Sequence, residues 1–256
     1  MLRTLLEKYR NKPSRGEYAI PEGRVIYAVG DIHGRADLLH QLHELISAHA
    51  LKRRPEKKML VYLGDYVDRG PQVRETLDML ASKPLPGFER RFLMGNHEQF
   101  LLHFLEDPLV LETWAAVGGQ ATLLSYAVNS PGSGFSPERA GEVLKQFRQA
   151  LPGRHLEFLR SLEPYFKMGD YLFVHAGIRP GLALEKQKPE DIYWIRDEFL
   201  SCSLDLGCKV VHGHTIEEKI LIRANRIGID TGAYATGVLS CAVVEGSGLD
   251  FLSTGS

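Results

Sequence analysis

Apolar residues along this chain recur with two alternating periods. Arg24-Val25-Ile26-Tyr27-Ala28-Val29 and Met59-Leu60-Val61-Tyr62-Leu63 are short apolar runs, rich in β-branched and aromatic residues, that predict buried strands, and Phe88 to Met94 reads as a third strand. Between them the spacing is helical. Leu38, Leu39, Leu42, Leu45 and Ile46 form one stripe over residues 36–50, and Val73, Leu77 and Leu80 another over 73–81. Strands alternating with helices predict a parallel βαβαβ half with right-handed crossovers. From Glu98 to about Leu162 the pattern turns wholly helical, broken by a loop at Asn129-Ser130-Pro131-Gly132-Ser133-Gly134. Residues 98–162 are therefore read as a helical insertion or cap. Strand signals return at Tyr171–Val174, Lys209–Val211, Lys219–Ile222, Arg226–Ile229 and Val238–Val244. Helices are scarce between them, so hairpins in a second, mixed or antiparallel sheet are expected.

The predicted fold is α/β, a two-sheet mixed sandwich flanked by helices, in one domain over residues 24–245. Residues 1–23 read as a peripheral N-terminal arm, with a short helix from Leu2 to Arg10 and a turn-rich link through Pro13, Gly16 and Pro21. Residues 246–256 read as a C-terminal tail. At 256 residues and 44% hydrophobic content the chain is long enough to bury a sizeable core. Lys plus Arg (31) balances Asp plus Glu (32), so the basic surplus of a nucleic-acid binder is missing. No apolar run reaches the roughly 18 residues of a membrane span, and Met1-Leu2-Arg3-Thr4-Leu5-Leu6-Glu7 lacks a signal peptide's apolar core. A cytoplasmic monomer with neither nucleic-acid nor membrane partners is expected. Cys202, Cys208 and Cys241 form no C-x-x-C pair and are read as core thiols.

The chemistry is concentrated where the predicted strands end. Gly30-Asp31-Ile32-His33-Gly34 follows the first strand, Gly64-Asp65-Tyr66-Val67-Asp68-Arg69-Gly70 the second and Gly95-Asn96-His97-Glu98 the third. Val174-His175-Ala176-Gly177 and Val211-His212-Gly213-His214-Thr215 repeat the arrangement later. A lone histidine at a strand end is usually structural, and a lone Gly-Asp is usually a turn. Five such elements in series are poorly explained by packing, because ligands of open α/β sheets sit beyond the carboxyl ends of the strands. Asp31 and His33, two apart on an extended segment, face the same way. Asp65 has two oxygens and could bridge two ions, which a neutral imidazole cannot. Asp31, His33, Asp65, Asn96, His175 and His214 can thus supply two divalent metals. This donor set suits Mn2+, with Fe, Zn or Ni as alternatives. A pair of such ions forms a clamp for displacement at phosphorus. His212 lies two residues before His214 and either imidazole could bind; the Gly-His-Thr context favours His214. His40, His43, His49, His103 and His155 lie in helical stretches and are read as structural or solvent-facing.

In identity and order, G-D-I-H-G, G-D-Y-V-D-R-G, G-N-H-E, H-A-G and G-H-T resemble the phosphoprotein phosphatase family of metallophosphoesterases, in its bacterial and phage branch. The likeness runs from Val25 to about Val244. It implies Asp31, His33 and a bridging Asp65 on one metal, and Asp65, Asn96, His175 and His214 on the other. It also implies His97 as general acid, Asp68 as its orienting partner, Arg69 and Arg196 as catalytic phosphate grips, and Arg69, Asn96, Arg196 and Tyr234 as substrate contacts. The implied reaction is hydrolysis of phosphoserine and phosphothreonine monoesters, extending to phosphotyrosine, by direct attack of a dimetal-bound water or hydroxide without a phosphoenzyme. The implied partner is a phosphoprotein or a phosphorylated small molecule. Diadenosine tetraphosphate hydrolases share the architecture and give an alternative reading, and a catalytically silent binding module a second. Asp68 and Glu98 lean toward the protein phosphatases, and an intact His97, Asp68 and Arg69 disfavour the silent module. Asp230, in Ile229-Asp230-Thr231-Gly232, is a candidate for holding a ligand histidine. Trp114-Ala115-Ala116-Val117-Gly118-Gly119-Gln120-Ala121-Thr122 resembles bacterial members and is expected to shape the substrate groove.

Overall fold

A computed structural model of the chain describes residues 18–53, 57–82, 85–129 and 136–255. The helix expected at Leu2–Arg10 and most of the loop at 129–134 lie outside them. Strand β1 (Arg24–Val29), helix α1 (Ala36–Arg53), β2 (Lys57–Tyr62), α2 (Val73–Ser82) and β3 (Phe88–Phe92) form the expected alternating half, followed by α3 (Asn96–Glu106). The β1–β2 and β2–β3 pairs are parallel, in register from Arg24 opposite Lys57 and from Lys58 opposite Phe88. Because side chains alternate across a strand, Val25, Tyr27 and Val29 face the helices while Ile26 and Ala28 face the other way.

The second sheet contains β4 (Tyr165–Met168), β5 (Tyr171–Val174), β6 (Lys209–His212), β7 (Leu221–Ile222) and β8 (Arg226–Gly228), in the order β4-β5-β6-β8-β7. Its centre is parallel, with β5 beside β6 and β6 beside β8, and only the β4 and β7 edges are antiparallel. The sheet is thus mixed, with fewer hairpins than expected. Strand β9 (Ser240–Glu245) returns to the first sheet, and β10 (Gly248–Ser253) folds back on it, giving the order β10-β9-β1-β2-β3. Part of the segment read as a tail is therefore an edge strand. The last residues of the supposed arm are also tied down: the Ile20 N–H donates to the Gly246 carbonyl at 2.9 Å, and its side chain is buried between the sheets.

Three apolar clusters account for the layering. Ile26, Val61, Phe173, Val211, Ile227 and Val244 fill the space between the sheets. Tyr27, Leu42, Leu77, Phe104, Trp114 and Phe147 join the outer face of the first sheet to α1, α2 and the helices of residues 96–160. Those helices share one core with the sheet. Leu172, Val174, Ile192 and Phe199 cover the far side of the second sheet. No helix among the described residues is long and apolar enough to cross a membrane.

Candidate metal centre and acid site

The parallel strands of both sheets end on a common rim. Asp31 and His33 follow β1, Asp65 and Asp68 follow β2, Asn96 and His97 open α3 just beyond β3, His175 follows β5 and His214 follows β6. Direct contacts join the two sheets there: the His214 N–H donates to Asp31 Oδ2 at 3.0 Å, and the Gly213 N–H to the His175 carbonyl at 2.8 Å. Only glycine fits position 213, since a Cβ there would lie 1.9 Å from Asp31 Oδ1.

Asp65 lies at the centre, where its Oδ1 accepts the His97 N–H at 3.1 Å and the His175 and His33 rings turn unprotonated nitrogens toward it. His175 donates its Nδ1 proton to the Leu63 carbonyl at 3.0 Å, which leaves Nε2 as a bare lone pair. That lone pair faces Asp65 Oδ1 at 3.4 Å and Asn96 Oδ1 at 2.9 Å. His33 is fixed in the same tautomer by the Val67 carbonyl at 2.7 Å, and its Nε2 faces Asp65 Oδ2 at 3.4 Å. His214 brings Nδ1 to 2.8 Å from Asn96 Oδ1. Burial, the largest influence on each imidazole, holds His33 down to about 3 and keeps His175 below its ordinary value. It holds His214 down to about 2. Burial thus favours the neutral, ligating form of each ring. Burial, with Asp230 and Asp65 nearby, pushes the Asp31 carboxyl well up. On Asp65 burial acts upward too, but the imidazoles of His175, His97, His33 and His214 together bring it below the usual range.

Buried Asp31 Oδ1 and His214 Nε2 have no hydrogen-bond partner. Acceptors that converge on one another with fewer donors than lone pairs are stabilised by positive charge. Two groups have ligand atoms mutually within 4.8 Å: His33, Asp65 and His97, and Asp65, His175 and His214. They share Asp65. The donor set of carboxylate, amide oxygen and neutral imidazole fits a pair of divalent cations, with Asp31 and Asn96 as the further oxygens. His212 is in neither group; its ring packs against Phe199 at 5.1 Å, so the structure gathers His214 and leaves His212 beside it.

His97 lies on this rim yet is held differently. Its Nδ1 donates to Asp68 Oδ2 at 2.7 Å, and its Nε2 is 3.9 Å from Asp65 Oδ2. Burial opposes protonation of the ring, but Asp65 and the Asp68 hydrogen bond outweigh it and raise its pKa above the ordinary histidine value. Arg69 Nη1 donates to His33 Nε2 at 3.0 Å, and its guanidinium lies over the Tyr234 ring at 4.9 Å. Tyr234 also meets the His33 ring edge-on at 5.5 Å. Arg196 is exposed and donates to Thr215 Oγ1 at 3.2 Å; Asp191 and Glu198 are taken by Arg179 instead. Its charge reaches the rim, where it helps to lower His175 and His214.

Other features lay beyond sequence reasoning. Among the described residues, six non-glycine positions have left-handed backbone, and five are His33, Asp65, Asp68, Arg69 and His214. Strain of this kind persists where the surroundings enforce it, and it gathers at working sites. Glu98, read only as part of a motif, supplies some of that enforcement. Its carboxylate accepts the N–H groups of Asp65, Tyr66, Val67 and Gly95 at 2.8 to 3.2 Å. Asp68 has two unforeseen partners, Trp114 and Thr122, from a segment expected to line the groove. Asp230, expected to hold a histidine, instead accepts from the Gly232 N–H at 2.9 Å, the ordinary bond of an Asp-Thr-Gly turn.

Comparison with known proteins agrees with this construction. The family model for calcineurin-like phosphoesterases matches residues 24–218. Serine/threonine-protein phosphatase 2 of Salmonella typhimurium is 30% identical over 85% of this chain and 91% of its own length. The symmetrical bis(5'-nucleosyl)-tetraphosphatase of Aromatoleum aromaticum is also 30% identical, over 62% of this chain and 46% of its own. Among solved structures, a proposed diadenosine tetraphosphatase covers 92% of this chain and 98% of its own, with a TM-score of 0.60 at 20% identity. A cold-active protein-tyrosine phosphatase of a Shewanella species gives 0.54 at 18%, over 91% and 80%. The matched region runs from β1 past the His214 motif and so contains every candidate metal ligand, and on that ground the chain belongs to the calcineurin-like metallophosphoesterases.

Proposed function

We propose that this hydrolase is a phosphoprotein phosphatase that cleaves phosphoserine and phosphothreonine monoesters, extending to phosphotyrosine. The observation that carries the reading is the 2.7 Å bond from His97 Nδ1 to Asp68 Oδ2, because it leaves Nε2 directed at the cation rim as a proton donor. Held by Asp31, His33 and Asp65 and by Asp65, Asn96, His175 and His214, a pair of divalent cations, Mn2+ first, would supply charge neutralisation and an acidified water. Arg69 and Arg196 would grip the phosphate oxygens, whose charge a guanidinium fork matches. As the P–O bond to the alcohol breaks, His97 passes its Nε2 proton to the departing oxygen, and Asp68 keeps the ring in place.

Dinucleoside tetraphosphate hydrolysis is the second reading, favoured by relatives such as the Aromatoleum aromaticum protein. That match covers under half of the relative, whereas the Salmonella typhimurium phosphatase is covered over 91% of its length. The test is turnover of a phosphopeptide, diadenosine tetraphosphate and para-nitrophenyl phosphate side by side with Mn2+, with His97→Asn as control. Phosphopeptide turnover lost in the variant is expected. Turnover of the dinucleotide alone would overturn the substrate assignment, and none at all would return the chain to a binding role.

A further inference from the structure

Asp68 and Arg69 are both left-handed, at φ 70° and 65°. Such backbone persists only where its surroundings over-determine it. Much of what holds them comes from one distant segment. Trp114 Nε1 donates to Asp68 Oδ2 at 2.9 Å, the same oxygen that accepts from His97. Thr122 Oγ1 donates to Asp68 Oδ1 at 2.5 Å and accepts the Asp68 N–H at 3.0 Å, closing a ring around the residue. The Arg69 N–H donates to the Gly118 carbonyl at 3.1 Å. Gly118 has φ 123°, and a Cβ there would lie 2.7 Å from Arg69 Cγ, so the arginine stem rests on bare backbone. Gly118 is thus a kink between two helical stretches, with Trp114 before it and Thr122 after it. The indole is itself immobile: Trp114 is fully buried, with its ring 5.0 Å from Phe104 and 6.0 Å from Phe147.

From this geometry we infer that the Trp114–Thr122 segment is a clamp on the Asp68-Arg69 pair, in which Trp114 and Thr122 are positioning residues that aim His97 at the leaving group and Gly118 is a seat for Arg69. The inference rests on the reading of His97 as proton donor. Asp68 can orient His97 only if it does not swing, and the indole N–H and the threonine hydroxyl fix both of its oxygens. A hydrophobic core asks nothing of the kind. A tryptophan needed only for volume could find any acceptor for its N–H, and a threonine needed only for packing could be valine.

Leaving-group dependence separates aim from packing. With Mn2+ present, kcat is compared on para-nitrophenyl phosphate, whose leaving group needs little protonation, and on phenyl phosphate, whose leaving group needs much more. Trp114→Phe and Thr122→Val are expected to lose about tenfold more on phenyl phosphate, a fraction of the roughly 10²–10⁴-fold that a positioned acid supplies. Thr122→Ser, which keeps the hydroxyl, is expected to restore the wild-type ratio even if Trp114→Phe folds poorly. Gly118→Ala is expected to raise KM on both substrates without moving the ratio. His97→Asn calibrates the scale. If it shows the selective loss while Trp114→Phe and Thr122→Val lose equally on both substrates, or if Thr122→Ser behaves as Thr122→Val, the clamp is overturned and the acid stands. Equal loss on both substrates in His97→Asn overturns the acid reading and the clamp with it. An unchanged KM in Gly118→Ala removes the seat for Arg69.

Discussion

Divalent cations are expected to stabilise this fold through Asp65, by an amount the rim geometry bounds. Asp31 Oδ1 and His214 Nε2 are buried without partners, and His175 Nε2 faces Asp65 Oδ1 at 3.4 Å with no proton between them. An unsatisfied buried polar group costs about 1–3 kcal/mol, so the two unpartnered atoms alone leave roughly 2–6 kcal/mol for a cation pair to recover. Mass action gives a similar scale, since a ligand at 100 times its Kd adds about 2.7 kcal/mol per site. For a chain of this size each kcal/mol moves Tm by about 2–4 °C, so one site predicts a rise of about 5–10 °C and two sites about twice that. Differential scanning calorimetry of the chelator-stripped protein, before and after excess Mn2+, measures it. Asp65→Asn removes the charge, and one of the two oxygens, of the residue shared by both ligand groups and is expected to abolish most of the rise. Equal melting temperatures with chelator and with Mn2+, or a full rise in Asp65→Asn, would refute the reasoning. A bound-metal count near one per chain would refute the pairing alone.

Three other outcomes follow from particular contacts. Asp68→Asn replaces a charge-assisted bond worth about 1.5–3 kcal/mol, so kcat on a phosphopeptide should fall roughly 10- to 150-fold in steady-state kinetics; a loss under threefold would contradict it. His43, buried on α1 with Nε2 against the Tyr62 hydroxyl at 2.8 Å, is held down to about 4 chiefly by burial. Its unfolded form binds a proton first, so the stability it contributes is complete above about pH 6.5 and is lost as the pH falls toward 4. In urea unfolding, His43→Gln should flatten the dependence of stability on pH in that window by about 1.4 kcal/mol per pH unit; an unchanged slope would contradict it. Phe173→Ala empties a fully buried position between the sheets and should cost about 3–5 kcal/mol in the same assay, and a cost below 1 kcal/mol would mean that the two sheets close over the gap.

Local pattern carried most of the first half of the fold. Strands β1 and β2 and helices α1 and α2 announce themselves because each presents an uninterrupted apolar run or stripe. Strands β4 and β10 do not, because they are edges whose side chains remain half-exposed, so their hydrophobic signal is weak. The rim was legible for a related reason: strand ends are local, and Asp31, His33, Asp65, Asn96, His175 and His214 each stand directly beyond one. What enforces the rim was not. Trp114 and Thr122 reach Asp68 across 46 and 54 residues, and no period or motif encodes a contact at that separation. The left-handed backbone at Arg69 is equally silent, since arginine does not favour it. Asp230 shows the reverse error, a nearby carboxylate given a partner that its own turn already supplies.

The return of β9 and β10 to the first sheet also bears on how the protein is made. Strand β1, which leads to Asp31 and His33, has β9 as one of its two neighbours, paired from Val25 opposite Glu245 to Val29 opposite Cys241. On a ribosome, β1 emerges first and waits with that edge bare until more than two hundred residues have followed. Strand β10 follows later still. A nascent chain therefore exposes a hydrophobic strand edge for nearly the whole of its synthesis, and a stop codon after His214 would spare every candidate ligand yet leave the sheet beneath them open. The sheet beneath Asp31 and His33 therefore cannot close before residues 240–245 have left the exit tunnel.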